Sequence, residues 1–210
     1  MLNSIVHDFL SNFDPGTHVV LFYDTTESKR NLLFTHLKYG ENSQGLTYVC
    51  SEESPEQIRQ GLLDFGMDTY AARDMNKLTI TNYDDVYIVN GQVNVSTIIR
   101  KFAGMVDSYR NRGYNGMRAA AEMSCFFKHE KVDELIEYEK ALHRKFAFKA
   151  EGICAYNISE ICKLGYIDML MPLVRAHDPV IFASPNGYLI MKPEKVRHKH
   201  IEEITNRIPN

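Results

Sequence analysis

The sequence has no tryptophan, and its four cysteines include no pair in a C-x-x-C arrangement. This spacing argues against a zinc ribbon and against a disulfide framework. No apolar run approaches the roughly 18 residues of a membrane helix, and residues 1–13 lack the basic segment that opens a signal peptide. Together these absences predict a protein of the reduced cytoplasm with no membrane partner.

An excess of charge of one sign is also missing, because the formal net charge is only −3. This balance gives no electrostatic basis for nucleic acid as a direct partner. The 210 residues are 44% hydrophobic and contain neither an internal repeat nor a long linker, so they predict one domain over residues 1–210. We expect its core at about residues 13–191 and a charged helix or tail over residues 192–210.

Glycine is absent from residues 24–39, which follow the apolar β-type run His18–Tyr23. A strand, a short polar connection and a helix beginning near Asn31 have the layout of a nucleotide-binding P-loop. A working P-loop uses glycines so that backbone N–H groups wrap the phosphates, and a Lys-Ser/Thr pair reaches the phosphates and Mg²⁺. Here Glu27 brings negative charge to the place of the phosphates. The segment therefore predicts the scaffold of an ATPase without its phosphate site.

Strands alternate with helices along most of the chain, which favours β-α-β units. The Asn186-Gly187 turn adds a hairpin. The predicted fold is therefore a three-layer α/β fold, with a mostly parallel sheet flanked by helices and an antiparallel C-terminal hairpin. The predicted strands are residues 17–23, 46–50, 78–82, 86–89, 117–121, 152–156, 179–183 and 188–191. The predicted helices are residues 1–13, 31–39, 55–65, 95–112, 131–146 and 164–175.

Several segments, taken in order, resemble those of one family. The strand at His18, the next helix and the run GLTYVCSEESPEQI resemble the opening of RecA/KaiC-like ATPases. More specifically, the chain is identified as a member of the MEDS family, the sensory domains of methanogen and methylotroph DcmR-type regulators. The matching segments are His18 before an aromatic-rich strand, Arg118–Met123, Tyr138-Glu139, Cys154–Asn157 and His177–Ile181.

This resemblance implies a RecA-like fold with a degenerate P-loop that senses a small molecule, such as a hydrocarbon derivative. In relatives the domain is often joined to a histidine kinase or to a helix-turn-helix segment that binds DNA. No helix-turn-helix is evident in this sequence. The resemblance therefore implies a separate signalling partner, either a histidine kinase or a transcription regulator.

The carboxyl ends of parallel strands open onto the ligand crevice of an α/β sheet. We therefore expect a ligand near residues 24–30, residues 50–53 and Glu122. Glu122 could act as a base, bind a cation or accept a hydrogen bond, with an ion pair to Arg118 as the structural alternative. Lys29 and Arg30 could contact an anion at a helix N-terminus. For ATP, however, the favoured interpretation is that these residues form a solvated first turn and do not bind the nucleotide.

His18 and His177 each lie near the start of a predicted strand, on the side away from that crevice, so a structural role is favoured for both. With Cys154 and Glu122 they could in principle supply metal ligands. They are scattered along the chain without ligand spacing, and no metal is predicted. Cys154 is expected to share a strand face with Tyr156, and both are candidates for lining a pocket.

Residues 131–146 carry an apolar stripe at helical spacing. Tyr138 lies on this stripe and is predicted to be in the core. Glu139 is predicted to lie on the solvated face, paired with His143.

The sequence predicts a cytoplasmic, non-catalytic sensory module that binds a small molecule and needs no cofactor. Weak binding of a nucleotide or anion stays open. The main alternative is a divergent nucleotide-binding protein or ATPase, and another is an assembly module that forms homo-oligomers. The predicted ligand-binding residues are Asp24, Thr25, Ser28, Lys29, Arg30, Cys50, Glu52, Glu53, Arg118, Glu122, Cys154, Tyr156 and His177.

Overall fold

The computed structural model describes residues 4–142 and 146–192. Within them the chain forms a seven-stranded sheet. Its strands are β1 (His18–Tyr23), β2 (Gly45–Cys50), β3 (Leu78–Asn82), β4 (Met117–Glu122), β5 (Ala150–Asn157), β6 (Val180–Ser184) and β7 (Gly187–Met191). The strand order is β3-β2-β4-β5-β1-β6-β7. All neighbouring pairs are parallel except β6 and β7, which form the antiparallel hairpin at Asn186-Gly187. The predicted fold class is confirmed.

Helices cover both faces of the sheet. They are α1 (Ser4–Ser11), α2 (Thr26–Gly40), α3 (Pro55–Asp64), α4 (Thr69–Asp74), α5 (Val95–Asn111), α6 (Ser124–Lys128), α7 (Val132–Leu142), α8 (Ile158–Lys163) and α9 (Leu170–Ala176). On one face the core includes side chains of α1, α2 and α3, and on the other face side chains of α5, α7 and α9. Side chains of β1 alternate between these two cores, as the period of a strand requires.

The helix after β1 begins five residues earlier than the sequence predicted, at Thr26 instead of Asn31. Thr25 caps it, because its hydroxyl oxygen accepts a hydrogen bond from the Ser28 backbone N–H at 3.2 Å. The supposed polar connection is therefore mostly the first turn of α2. This shift turns Lys29 into a helical residue that faces the sheet.

Two other predicted elements were wrong. Residues 86–89 are not a strand; they follow a 3₁₀ turn, Tyr83–Asp85, and Val86 is buried without strand pairing. The predicted helix over residues 164–175 is divided. Gly165, at a φ of +83°, follows α8, and a second 3₁₀ turn precedes α9 at Leu170. The helices α4, α6 and α8 were not foreseen.

Other predictions lie partly outside the described residues. The predicted C-terminal helix or tail lies outside them from residue 193 onward. The predicted pair of Glu139 with His143 cannot be compared, because His143 lies outside them too. None of the four cysteines forms a disulfide. Among the described residues, every helix is too short or too polar to cross a membrane.

Candidate functional site

A buried lysine lies at the carboxyl edge of the sheet, surrounded by three glutamates. Lys29 Nζ lies 2.6 Å from Glu122 Oε1, 3.0 Å from Glu53 Oε2 and 3.2 Å from Glu52 Oε2. The Lys29 side chain is 0% exposed. We call Lys29, Glu52, Glu53 and Glu122 the Lys29 cluster. The interpretation of Lys29 as a residue of a solvated first turn is therefore wrong.

The order of the strands explains why these residues meet. Glu122 ends β4, and Glu52 and Glu53 follow the neighbouring strand β2. Glu122 Oε2 accepts hydrogen bonds from the backbone N–H groups of Ser51, Glu52 and Glu53 at 2.8, 2.7 and 3.3 Å. The Tyr48 hydroxyl donates to Glu122 Oε1 at 2.9 Å. Glu122 therefore fixes the conformation of the loop after β2 through these hydrogen bonds.

Electrostatics favour the charged forms of Lys29 and Glu53. Burial alone would lower the pKa of Lys29, but the carboxylates of Glu122 and Glu52 offset this effect and raise it. For Glu53, burial acts to raise the pKa, while hydrogen bonds and charge from Arg30 and Lys29 lower it overall. Two cations, Lys29 and Arg30, face three carboxylates. The network therefore carries one excess negative charge.

The charged groups of this network already have partners within the protein. The ammonium group of Lys29 already has its counter-ions, and Arg30 pairs with Glu53. The backbone N–H groups after β2 donate to Glu122. The hydroxyl of Thr25 donates to Ser28 Oγ at 2.8 Å. At this edge, Glu122 therefore contacts both the ammonium group of Lys29 and the backbone N–H groups that follow β2.

An open crevice of about 430 Å³ lies beside the Lys29 cluster, at the carboxyl ends of β1 and β6. Tyr23 connects the two, because it lines the crevice and its hydroxyl donates to Glu52. Asp24 lies at the same edge and is exposed. The apolar and aromatic side chains of the crevice are Phe22, Tyr23, Ile158, Phe182, Tyr188 and Leu189. We call this space the apolar crevice.

Two predicted site residues, Arg118 and Cys50, do not line the crevice. Arg118 is near the opposite, amino edge, where its Nε lies 2.7 Å from Glu151 Oε2. Its NH1 group donates to the carbonyl of His36 at 3.0 Å. The proposed Arg118–Glu122 ion pair is therefore not formed. Cys50 ends β2 and is buried, and burial raises the pKa of its thiol.

A larger polar cavity of about 1010 Å³ opens at the amino edge, near Arg118 and Glu151. Of the predicted ligand-binding residues, Arg118 alone lines this cavity, whereas the ligand was expected at the carboxyl edge. Its lining side chains include Arg110, Tyr114 and Lys149. Because Arg118 already contacts Glu151 and backbone carbonyls, we do not assign this cavity to the ligand.

Two of the remaining predicted site residues, Cys154 and His177, meet in a second buried cluster, between the sheet and helices α7 and α9. It consists of His18, Glu139, Cys154 and His177, which we call the His–Glu–Cys cluster. Their ligand-type atoms all lie within 4.8 Å of one another, and all four residues are buried. His18 begins β1, Cys154 lies in β5, and His177 follows α9. Glu139 comes from α7 and was not predicted as a site residue.

Glu139 is 0% exposed, so its predicted place on a solvated face was wrong. Helix α7 packs against both α5 and α9, and it therefore buries more than the single stripe that the spacing indicated. The hydroxyl of Tyr156 donates to Glu139 Oε1. Burial acts to raise the pKa of the Glu139 carboxyl, but His177 and His18 hold it at about 2. Tyr138 is in the core, as predicted.

Comparisons with known proteins identify relatives at the level of family and fold. The family model described as MEDS, MEthanogen/methylotroph, DcmR Sensory domain, matches residues 17–177. No curated protein matches the chain.

Among solved structures, a KaiC-like protein from the archaeon Pyrococcus horikoshii OT3 is similar, with a TM-score of 0.60 and 17% identity. The match covers 86% of this chain and 81% of that one. A second structure from Pyrococcus horikoshii OT3 has a TM-score of 0.59 and 11% identity, covering 89% and 91% of the two chains. At these identities the likeness establishes a RecA/KaiC-like fold alone.

Proposed function

The chain belongs to the MEDS family of sensory domains, and from this membership we propose that it senses a small, largely apolar molecule bound in the apolar crevice. The crevice opens at the carboxyl ends of β1 and β6, where ligands of open α/β sheets bind. Its volume of about 430 Å³ falls within the usual range of small-molecule pockets. The lining favours apolar groups, with Asp24 as one charged group at its rim.

The observation that carries this proposal is the internal neutralisation of Lys29. A phosphate brought to this edge would compete with Glu122, which already contacts the ammonium group at 2.6 Å. It would also meet an excess negative charge. A neutral or weakly polar molecule avoids both obstacles. The ligand class is therefore an uncharged small organic molecule, such as a hydrocarbon derivative, rather than a nucleotide.

Tyr23 offers a route by which the ligand changes the protein. Its ring lines the crevice, and its hydroxyl donates to Glu52. The Ser124 hydroxyl at the start of α6 donates to the same carboxylate. A ligand that moves Tyr23 would disturb the contacts of Glu52 with α6 and with Lys29. We propose that the resulting change of conformation or assembly passes to a separate signalling protein.

Thermal unfolding in the presence of candidate ligands tests the proposal, because a ligand that binds only the native state raises apparent stability. Very small ligands gain at most about −1.5 kcal/mol per non-hydrogen atom, so a three-atom compound binds with a dissociation constant of about 0.5 mM at best. The panel therefore contains short alcohols, ketones and halogenated alkanes at millimolar concentration, beside ATP with Mg²⁺. We expect one or more organics to raise Tm and ATP to leave it unchanged.

Leu189→Glu tests whether the ligand binds in the crevice, because Leu189 lines it. Leu189 is 54% exposed, so the chain tolerates the change. Ile167→Glu is its matched control at an exposed apolar residue outside the crevice. The organic ligand should lose its effect only with Leu189→Glu. Stabilisation by ATP with Mg²⁺ alone, or ATP hydrolysis that disappears in a folded Arg30→Ala variant, would support the divergent nucleotide-binding alternative instead.

A further inference from the structure

We propose that His18, Glu139, Cys154 and His177 bind a divalent transition-metal ion, with zinc as the best-matched ion. This site is separate from the proposed ligand crevice and does not depend on it. The sequence predicted no metal because these residues are scattered along the chain. The fold removes that objection, since it brings one potential ligand atom from each residue within 4.8 Å of the others.

The distances between these atoms match those around a tetrahedral zinc ion. Zinc lies about 2.0–2.2 Å from nitrogen and oxygen ligands and about 2.3 Å from sulfur, so neighbouring ligand atoms are about 3.3–3.6 Å apart. Here Glu139 Oε2 lies 3.2 Å from His177 Nε2 and 3.4 Å from His18 Nε2. His18 Nε2 lies 3.4 Å from Cys154 Sγ. The remaining pairs of ligand atoms lie within 4.8 Å of one another.

Contacts outside the cluster orient the ligands toward its centre. His177 Nδ1 lies 2.8 Å from the carbonyl oxygen of Leu173, and donation of its proton there leaves the Nε2 lone pair directed at Glu139. Glu139 Oε1 accepts from Tyr156, which leaves Oε2 for the centre. Second contacts of this kind are typical of metal-binding histidines and carboxylates.

Two buried atoms at the centre lack a hydrogen bond. Among the described residues, Glu139 Oε2 and His177 Nε2 have no partner of acceptable hydrogen-bond geometry, although they lie 3.2 Å apart. Both side chains are 0% exposed. Buried polar atoms without partners are rare in folded proteins, and an ion is one of the recognised reasons for them. A cation between these atoms satisfies both at once.

The donor set selects the ion. One thiolate, two imidazole nitrogens and one carboxylate oxygen suit zinc, whereas calcium and magnesium require oxygen ligands. Four protein ligands fill a tetrahedral zinc ion, which is the pattern of structural zinc sites. The ion would join β1, β5, α7 and the segment that follows α9.

A cysteine nucleophile is the competing interpretation, because Cys154 lies beside a histidine that in turn approaches a glutamate. A nucleophilic cysteine needs partial exposure and an electropositive surrounding. Cys154 is only 5% exposed, and it lies beside the carboxylate of Glu139. A substrate therefore cannot readily reach the sulfur atom, so metal binding fits the cluster better.

The test uses the full chain, stripped of metal with a chelator and then loaded with Zn(II) or Co(II). We expect about one equivalent of zinc per chain. The cobalt protein should show the intense visible bands of a tetrahedral ion and a thiolate-to-cobalt charge-transfer band in the near ultraviolet. Cys154→Ser should remove the charge-transfer band. His177→Ala removes a ligand itself, so it should weaken zinc binding by more than the tenfold to hundredfold typical of losing a contact to a ligand. Tyr156→Phe, which removes a contact to a ligand, should weaken it about tenfold to a hundredfold.

Controls separate this site from other donors in the chain. Cys162→Ser replaces an exposed cysteine, and His198→Ala with His200→Ala removes the histidines of the C-terminal segment. Both should keep the bands and the affinity of the parent. Failure to bind zinc in the folded parent chain would overturn the proposal. So would zinc affinity and cobalt spectra that stay unchanged in a folded Cys154→Ser variant.

Discussion

At the scale of single residues, the burial of charge governs the carboxyl edge of the sheet. Removing an ammonium group from water is strongly unfavourable unless close carboxylates and hydrogen bonds replace the lost hydration. Lys29 meets this condition through Glu52, Glu53 and Glu122. The same contacts that make Lys29 stable in the interior remove it from the surface that a ligand could reach.

Replacement of Lys29 by methionine should strongly destabilise the protein. Lys29→Met leaves Glu122 buried and without its cation, and breaking a buried pair from one side costs about 3–5 kcal/mol. Urea unfolding followed by circular dichroism measures the change in the free energy of unfolding. Lys38→Met is the matched control, because Lys38 is exposed and donates to the carbonyl of Gly66 at 3.3 Å.

A second substitution distinguishes charge from packing in this result. Lys29→Met combined with Glu122→Gln removes the unpaired charge, and it should recover part of the lost stability. A single Lys29→Met variant that is as stable as the Lys38→Met control would contradict the buried network.

His36 predicts a pH dependence of stability. Burial first, and then the charge of Arg118, lowers the pKa of His36 well below its usual value of 6.5. In the unfolded chain His36 gains a proton as pH falls through 6.5, while in the folded chain it stays neutral. Falling pH therefore favours the unfolded state. The expected loss from this residue between pH 8 and pH 5.5 is about 1.4 kcal/mol.

The measurement compares urea unfolding of the parent and of His36→Leu at these two pH values. Stability of the variant should fall less on acidification than that of the parent, and the difference isolates His36 from the other histidines. His7→Leu is the control, since His7 is exposed in α1. An equal loss in parent and His36→Leu would show that His36 is accessible to protons in the folded state.

At the scale of elements, the close approach of α5 to β2 depends on a glycine. A Cβ atom at Gly45 would lie 2.0 Å from Cγ of Tyr109. Tyr109 cannot easily move, because it is buried and its hydroxyl donates to the carbonyl of Leu46 at 2.8 Å. Gly45 therefore sets how near the helix lies to the strand that leads to Glu52 and Glu53.

Two glycine-to-alanine variants should change stability in opposite directions. Gly45→Ala should destabilise by about 1–3 kcal/mol or more, because it forces Tyr109 out of its place. Gly104→Ala should stabilise by about 0.5–1 kcal/mol, because Gly104 is exposed within α5 and its added Cβ meets nothing within 4 Å. Thermal unfolding of both variants measures the contrast. Equal effects of the two variants would contradict the packing of α5 on β2.

The boundaries of elements show why the sequence predicted the carboxyl edge only in outline. The helix after β1 was placed from its apolar residues, which begin at Leu32, so the polar first turn was taken as a loop. A buried lysine in a first turn cannot be recognised from spacing, because its partners Glu52, which follows β2, and Glu122, which ends β4, are distant in the sequence. A Thr25 cap was the local signal that could have extended the helix.

At the scale of the whole molecule, the sheet separates two buried polar clusters. The Lys29 cluster lies at the carboxyl edge of β2 and β4, and the His–Glu–Cys cluster lies between the sheet and helices α7 and α9. Strand β1 reaches both regions, with His18 at its start and Tyr23 at its end. A ligand that contacts Tyr23 and an ion that binds His18 would therefore act on the same central strand.

The sequence by itself determined the alternation of strands and helices, the parallel sheet, the hairpin at Asn186-Gly187 and the missing P-loop glycines, because these depend on local composition and short spacing. Only the tertiary structure decided which distant side chains meet. Glu139 lies one helical position from the predicted stripe, yet packing of α7 between α5 and α9 brings it to His18, Cys154 and His177. Such contacts depend on strand order and helix packing, which no local pattern encodes. For the same reason, only the structure shows that Glu122 pairs with Lys29 at the place where the strand-to-helix layout of the sequence suggested a phosphate site.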